Sequence, residues 1–259
     1  MNNQNWTKDN IPDQKNRVII VTGSSSGIGF EAAKALAEKN AAIIIAVRNE
    51  EKGKHAIERI KEAYAGARVE LMLLDLADLK SVKEFADTFK KKYNRLDLLI
   101  NNAGVMIPPY SKTKDGFELQ FGTNHLGHFA LTGLLIDPIL KTEGSRIVNV
   151  SSGAHRYGNI NFDDLNWEKR KYKKWTSYGD SKIANLYFTY ELQRKRALPT
   201  LRAAIDPDAK SGDYFGPDGW MQLKGYPVKV ESNKLSHNEE IAKKLWSVSE
   251  ELTGVKYPL

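Results

Sequence analysis

The chain has no cysteine among its 259 residues, which excludes disulfide bonds, catalysis by a thiolate and metal sites built on cysteine. It also lacks a long hydrophobic run. No apolar stretch reaches the ~18 residues needed to cross a membrane, and the polar start at residues 1–17 does not resemble a signal peptide. We therefore expect no membrane span, and a cytoplasmic protein is the default expectation.

An extended basic surface is missing as well, although the 39 Lys and Arg outnumber the 32 Asp and Glu to give a net charge of +7. The basic clusters at 90–92 and 169–174 are short, and acidic residues separate them. Solvated helix faces account for this pattern better than a binding patch. A nucleic-acid partner is not expected, because no feature of the sequence other than the net charge supports one.

Hydrophobic residues make up 41% of the chain and charged residues 27%, as in an ordinary soluble globular protein. Short β-branched runs alternate with helical patterns, which predicts one domain over residues 1–259. Strands are predicted at 17–22, 41–47, 67–75, 96–100 and 145–151. Helices are predicted at 30–40, 50–64, 79–93, 117–140 with a break near Pro138, 175–196, and from the capping box at Ser236 and Glu239 to Gly254. The fold class is α/β: a doubly wound parallel sheet, Rossmann-like, in three α/β/α layers.

A glycine-rich turn follows the first predicted strand and opens the first helix. Glycines at such a turn let backbone N–H groups approach a pyrophosphate at the helix N-terminus. The predicted cofactor-binding residues of this turn are Gly23, Ser25, Ser26, Gly27, Ile28 and Gly29.

The residue after the second strand is Arg48, where NAD-specific sites commonly place an acid on the ribose 2′-hydroxyl and an Arg accommodates a 2′-phosphate. NADP(H) is therefore favoured over NAD. Asp75 and Leu76 end the third strand and are candidates to contact the adenine, although Asp75 could equally act as a helix N-cap.

Tyr178 and Lys182 are spaced i and i+4 on a predicted helix, so they share one face. A free phenol titrates near ~10, and a neighbouring ammonium should lower that pKa. Ser152, at the carboxyl end of the fifth strand, could hydrogen-bond the substrate oxygen whose proton Tyr178 exchanges. Each motif alone is often coincidental, and their order along the chain carries the weight.

That order resembles the short-chain dehydrogenase/reductase family over residues 6–196. The resemblance implies that Asn101-Asn102-Ala103-Gly104 braces the sheet and that Asn102, Ala103 and Gly104 lie at the cofactor. It also implies that Asn124 holds a water relaying protons to Lys182, that Lys182 binds the nicotinamide ribose, and that Ser152, not Ser151, is the catalytic serine.

A closer resemblance, to the retinol-dehydrogenase-like and protochlorophyllide-reductase-like branch, lies in residues 46–53, 123–129 and the wide spacing from Ser152 to Tyr178. The insertion at 154–174 carries aromatic residues that either line the pocket or pin the loop: Tyr157, Phe162, Trp167 and, just beyond it, Trp175. His125 and His128 are interpreted as packing residues, because a third ligand for a metal is missing.

After the helix carrying Tyr178, the family pattern implies a sixth strand ending in Pro-Gly, and roughly forty or fifty residues of that pattern are absent here. Two explanations are open for this absence: the residues were left out because a structure did not resolve them, or the protein has a true internal deletion. The first is favoured. The favoured explanation predicts a break between Arg196 and Ala197, with Cα atoms much farther apart than ~3.8 Å.

The expected function is an NADP(H)-dependent carbonyl reductase or alcohol dehydrogenase acting on a small apolar carbonyl or alcohol. The alternative is a catalytically impaired sensor or scaffold that binds NADP. The oligomeric state cannot be derived from the sequence, and a homodimer or a homotetramer is compatible with it.

Overall fold

The structure, a computed structural model, describes residues 6–195, 210–219 and 225–259. Five parallel strands form one sheet in the order β3-β2-β1-β4-β5. They are β1 Val18–Thr22, β2 Ala42–Val47, β3 Arg68–Leu73, β4 Leu98–Asn101 and β5 Arg146–Asn149. The chain runs outward from β1 to β3 and then crosses to β4, so the strand order reverses between β1 and β4, where open α/β sheets bind their ligands.

Helices cover both faces of the sheet, as the all-apolar strands require. The helices are α1 Gly27–Glu38, α2 Glu50–Ala63, α3 Leu79–Lys92, α4 Leu119–Phe121, α5 Gly127–Leu134, α6 Ile136–Leu140, α7 Lys174–Lys195 and α8 Glu239–Thr253. Along β1, Ile19 packs in the core under α1 and α2, whereas Ile20 packs in the core under α3 and α5. The doubly wound three-layer prediction is confirmed.

Two C-terminal strands, β6 Tyr214–Pro217 and β7 Pro227–Val230, form a separate antiparallel pair. A short 3₁₀ turn at Lys234–His237 then leads into α8. Among the described residues, no helix is long and apolar enough to cross a membrane.

Three local predictions need correction. The helical stretch predicted at 117–140 is divided earlier than the expected break near Pro138: a π turn at Gly122–Leu126 separates α4 from α5, and α6 begins at Ile136 after Leu135. The cap of α8 is Asn238, whose side chain accepts from Ile241 N; Ser236 belongs to the preceding 3₁₀ turn. The cap of α3 is Asp78, so Asp75 is not an N-cap.

The break predicted between Arg196 and Ala197 lies outside the described residues, and that distance stays a prediction. The preference for unresolved residues over a true deletion likewise stays a prediction.

Candidate active site

The glycine turn lies at the carboxyl end of β1, where α1 begins. Gly23 and Gly27 adopt left-handed backbone angles, with φ of 67° and 60°, which glycine accepts without strain. Ser26 occupies the N-cap position of α1 but makes no side-chain capping hydrogen bond. The first-turn amides of α1 therefore remain available to an anionic group.

Three further residues of the glycine turn are Gly29, Ile28 and Ser25. A Cβ on Gly29 would lie 2.4 Å from Asn102 Nδ2, so only glycine fits there. The exposed Ile28 lies on the groove described below, and Ser25 is partly buried within the turn.

Asn102 and Ala103 join the turn after β4 to the end of β1. Both of their backbone amides donate to Thr22 Oγ1, each over 2.9 Å, and Asn102 Nδ2 donates to Thr22 O over 2.8 Å. Asn101 extends the brace, since its Nδ2 donates to Asn149 Oδ1 on β5 over 2.8 Å. The strand ends that flank the switch point are thus tied to one another.

Arg48 is exposed directly after β2, two residues beyond Ala46, whose carbonyl accepts from Gly23 N. Asp75 lies after β3 and holds a local turn, since its Oδ1 accepts from Ala77 N over 3.0 Å. Leu76 is buried against Gly127. These positions place Arg48 and Asp75 at the same edge of the sheet as the glycine turn.

Tyr178 and Lys182 lie one turn apart on α7, facing the end of β5. The Lys182 side chain is buried, with the residue 4% exposed, and its Nζ donates to Val150 O over 3.2 Å. The same Nζ lies 5.6 Å from the centroid of the Tyr178 ring. The two side chains therefore meet as their spacing predicts.

The electrostatics of this pair differ from the expectation. Burial raises the pKa of Tyr178, and its interaction with the Ser152 hydroxyl opposes the shift only in part. Burial also lowers the pKa of Lys182 to about 8. The shift is opposite to the predicted lowering of the phenol pKa, because burial is its largest cause. A protonated phenol is the form that the site favours.

The two serines after β5, Ser151 and Ser152, make different hydrogen bonds. Ser151 Oγ donates to the Lys182 carbonyl over 2.8 Å and thereby ties β5 to α7. Ser152 Oγ accepts from Ala154 N over 3.2 Å, and its hydroxyl also interacts with the Tyr178 phenol. The choice of Ser152 over Ser151 agrees with this arrangement.

Asn124 is fully buried in the π turn before α5. Its Oδ1 accepts from Val105 N over 2.8 Å, and its Nδ2 donates to Val105 O and to Ser181 Oγ. The side chain thus braces Gly104 and its neighbours against α7. The water relay from Asn124 to Lys182 stays a prediction.

The aromatic residues of the insertion divide between the two alternatives. Trp167 is buried under the Arg170 guanidinium, whose carbon lies 3.6 Å from the ring centroid, and Phe162 packs against the core beside α7; both pin the loop. Tyr157 and Trp175 are 72% and 56% exposed. None of the four lines the groove.

A groove of about 500 Å³ runs from Ile28 along β5 to Ser152, between α7 and β6. Its walls include residues that the sequence reading missed: Val148, Leu186, Thr189, Tyr190, Phe215 and Pro217. Leu186 and Thr189 follow Lys182 by four and seven residues, so the helical spacing could have identified them. The β6 wall carried no comparable signal.

His125 and His128 are buried, and the packing interpretation holds for His125, which contacts Phe121, Phe129 and Phe188. His128 additionally hydrogen-bonds Thr22 and the Asn124 carbonyl. Within the described ranges, no group of three or more His, Cys, Asp or Glu side chains could hold a metal ion.

The fold and the site define a nicotinamide-dependent oxidoreductase of the α/β class, and comparison with known proteins gives the family. The short chain dehydrogenase family model matches residues 17–164. This chain belongs to the short-chain dehydrogenase/reductase family.

Individual relatives agree with the family assignment. The chain is 36% identical over 284 residues to retinol dehydrogenase 13 of Homo sapiens, covering 93% of this chain and 86% of that protein. Because 93% of 259 residues is about 241 residues, about 43 aligned positions have no residue in this chain. This number agrees with the forty or fifty residues of the family pattern that the sequence was expected to lack.

Solved structures show the same fold. An uncharacterised protein from Mycobacterium paratuberculosis is 38% identical, with a TM-score of 0.88, covering 99% of this chain and 100% of that one. A short chain dehydrogenase from Shigella flexneri 2a, solved in complex with NADP, is 28% identical with a TM-score of 0.59, covering 73% and 76% of the two chains.

Proposed function

We propose that this protein is an NADP(H)-dependent reductase of apolar aldehydes or ketones, with Tyr178 as the proton donor. The observation that carries the proposal is the convergence of Ser152, Tyr178 and Lys182 at the carboxyl edge of the sheet, where Lys182 Nζ lies 5.6 Å from the centroid of the Tyr178 ring and the Ser152 hydroxyl interacts with the Tyr178 phenol. Ser152 follows β5, Tyr178 and Lys182 belong to α7, and Ser152 also lines the groove along β5.

The residues present fit a nicotinamide dinucleotide. The N-terminus of α1 lacks a side-chain cap, and a Cβ added to Gly27 would meet nothing within 4 Å, so the space before the helix is open to a pyrophosphate. Arg48 is exposed at the end of β2, and we assign it to the 2′-phosphate of NADP. The bound nicotinamide would supply the hydride.

The protein's own groups would handle the oxygen. Ser152 Oγ donates a hydrogen bond to the carbonyl oxygen and polarises the bond. As the carbonyl carbon accepts a hydride, Tyr178 transfers its phenolic proton to that oxygen, which gives the alcohol, and the phenolate is reprotonated from solvent. With its pKa raised above the ordinary value near ~10, Tyr178 is protonated at neutral pH and can act as the proton donor.

An apolar substrate is supported by the groove, whose walls include Val148, Leu186 and Phe215. The similarity to a retinol dehydrogenase agrees with this substrate class. Lys182 would orient the ribose and keep a positive charge near Tyr178.

The test is NADPH oxidation against a panel of apolar aldehydes and ketones, with Tyr178→Phe, Ser152→Ala and wild type compared. We expect Tyr178→Phe to lower kcat by about 10²–10⁴-fold, as loss of a general acid does. Tyr93→Phe is the matched control, because the Tyr93 hydroxyl donates to Glu70 on β3, and it should keep wild-type turnover.

Two results would contradict the proposal. Equal turnover in wild type and Tyr178→Phe would remove Tyr178 from the reaction. Tight NADPH binding without turnover of any substrate would instead indicate a sensor.

A further inference from the structure

His155 is a fully buried residue three positions after Ser152, with 0% exposure. It belongs to the 3₁₀ turn Gly153–Tyr157, which Ser152 caps. Its Nδ1 lies 2.7 Å from the Ser152 carbonyl oxygen, and its Nε2 lies 3.2 Å from the backbone nitrogen of Asn233. One imidazole thus joins two segments that are 78 positions apart in the chain.

The partners determine the tautomer of this ring. A carbonyl oxygen can only accept, so Nδ1 carries the hydrogen, and a backbone N–H can only donate, so Nε2 is the acceptor. Burial lowers the pKa of His155, which favours this neutral form. Both ring nitrogens are therefore satisfied, each by a different segment.

We call residues 210–217 and 227–238 the C-terminal wall, because the first of these ranges lines the groove opposite Ser152. Asn233 begins the 3₁₀ turn of this wall, and its Oδ1 accepts from Ser236 N. The His155 ring also packs edge-on against Tyr214 of β6, with centroids 5.8 Å apart. His155 thus contacts the wall at two places.

Other contacts attach the same wall to α7 but do not reach Ser152. The Tyr187 hydroxyl donates to Leu235 O over 3.0 Å, and the Tyr190 hydroxyl lies 2.8 Å from Ser232 Oγ. Among the described residues, His155 is the side chain that hydrogen-bonds both the Ser152 backbone and the wall.

The structure assigns His155 the role of a positioning residue, which fixes Ser152 relative to the C-terminal wall through one hydrogen bond to each. This role rests on the proposed function, because Ser152 is placed there as the donor to the substrate oxygen. The bond to Ser152 O should affect the chemical step, and the bond to Asn233 should affect how the wall holds the substrate.

The two bonds can be separated by amide substitutions. In His155→Asn, the side-chain NH₂ takes the place of Nδ1–H and keeps the donor to Ser152 O. In His155→Gln, the side-chain oxygen takes the place of Nε2 and keeps the acceptor for Asn233. His155→Phe keeps the ring and removes both bonds, and exposed His55→Asn is the control.

Steady-state kinetics should then divide between the variants. One lost hydrogen bond changes a rate or binding constant by about five- to tenfold. We expect His155→Asn to raise KM by that factor with kcat nearly unchanged, and His155→Gln to lower kcat with KM nearly unchanged. His155→Phe should show both effects, and His55→Asn neither.

A second readout does not depend on activity. Hydrogen exchange of the Asn233 amide should accelerate in His155→Asn and His155→Phe and stay slow in His155→Gln. Kinetic constants that are equal in all three variants, with only the melting temperature changed, would overturn the proposal. A wild type without turnover would contradict the proposed function instead. In that case, equal exchange rates of the Asn233 amide in His155→Asn and His155→Gln would overturn the proposal that His155 connects Ser152 to the C-terminal wall.

Discussion

Thr22 Oγ1 and His128 Nε2 lie 2.9 Å apart in the buried region behind the site. His128 Nδ1 lies 3.0 Å from the Asn124 carbonyl oxygen, which can only accept, so Nδ1 carries the hydrogen and Nε2 accepts from the Thr22 hydroxyl. Thr22 Oγ1 in turn accepts the amides of Asn102 and Ala103. A neutral histidine thus connects the cofactor turn to the π turn that carries Asn124.

This connection predicts acid sensitivity. Burial lowers the pKa of His128 to about 4 and that of His125 to about 3, below the unfolded value near ~6.5. The native state resists protonation while the unfolded state accepts it. The stability is therefore fully present above the unfolded pKa and is lost as the pH falls below it, by about 1.4 kcal/mol per pH unit for each histidine.

Urea unfolding of wild type and His128→Asn at several pH values between about 7 and 4.5 checks this expectation. The variant cannot take up that proton, so its free energy of unfolding should fall less steeply with decreasing pH. His55→Asn, at an exposed position, should keep the wild-type slope. Parallel curves for wild type and His128→Asn would contradict the assignment.

The fold could be predicted because its signals are local. The β-branched run at 18–22 and the glycines after it indicate a buried strand and a helix start without any distant contact. The i and i+4 spacing of Tyr178 and Lys182 likewise needs only the helix to be correct. The structure contains these elements, and the differences lie at helix ends, which depend on capping side chains.

Other features depend on contacts that no local pattern encodes. The raised pKa of Tyr178 reflects burial, which the sequence does not report. His155 was not singled out, because its partners Ser152 and Asn233 meet only in three dimensions. The division of α4 from α5 was missed for a similar reason: the π turn forms where Asn124 bonds Val105, nineteen positions earlier.

Lys182 should be required for turnover but should lower the free energy of unfolding. Its buried ammonium has a pKa lowered to about 8, so the native state disfavours the charge that the unfolded state holds up to ~10.4. Lys182→Met should abolish turnover yet raise the free energy of unfolding at pH 7 by about 1–3 kcal/mol. Val150 O keeps a partner, since Asn185 Nδ2 also donates to it.

The pH dependence makes this prediction specific. The destabilisation is complete below the folded pKa and disappears as the pH rises toward the unfolded value, so the gain in Lys182→Met should shrink from pH 7 to pH 10. Denaturant unfolding at both pH values measures it, with the exposed Lys174→Met on the same helix as control. A loss of stability at pH 7 would count against the buried-charge argument.

Arg48 should decide between the two cofactors. Loss of a guanidinium contact to a phosphate costs about 1.5–3 kcal/mol, so Arg48→Ala should raise the Kd of NADPH about 10–100-fold and change that of NADH little. Isothermal titration with both cofactors measures this difference. Arg68→Ala, on an exposed arginine that bonds Asn40 O, serves as control. Equal affinities for the two cofactors in wild type would refute the 2′-phosphate assignment.

The contact between Gly158 and Gly179 should fix the insertion on the catalytic helix. A Cβ on Gly158 would lie 2.3 Å from Gly179 O. This oxygen is a backbone atom of α7, so relieving the clash would require the helix itself to shift. The backbone of Gly158, with φ −83° and ψ 140°, suits any residue, so steric exclusion alone requires glycine. Gly158→Ala should cost about 2 kcal/mol or more of stability.

Because Gly158 packs one residue away from Tyr178, the same substitution should also lower kcat/KM, which a purely remote packing defect would not do. Gly66→Ala is the matched control, since a Cβ there meets nothing within 4 Å, and it should change stability by less than about 0.5 kcal/mol. Thermal unfolding and steady-state kinetics of both variants provide the measurement. If Gly158→Ala behaved like Gly66→Ala, the insertion would not be anchored at this contact, and its other contacts, such as the packing of Trp167 and Phe162, would have to hold it.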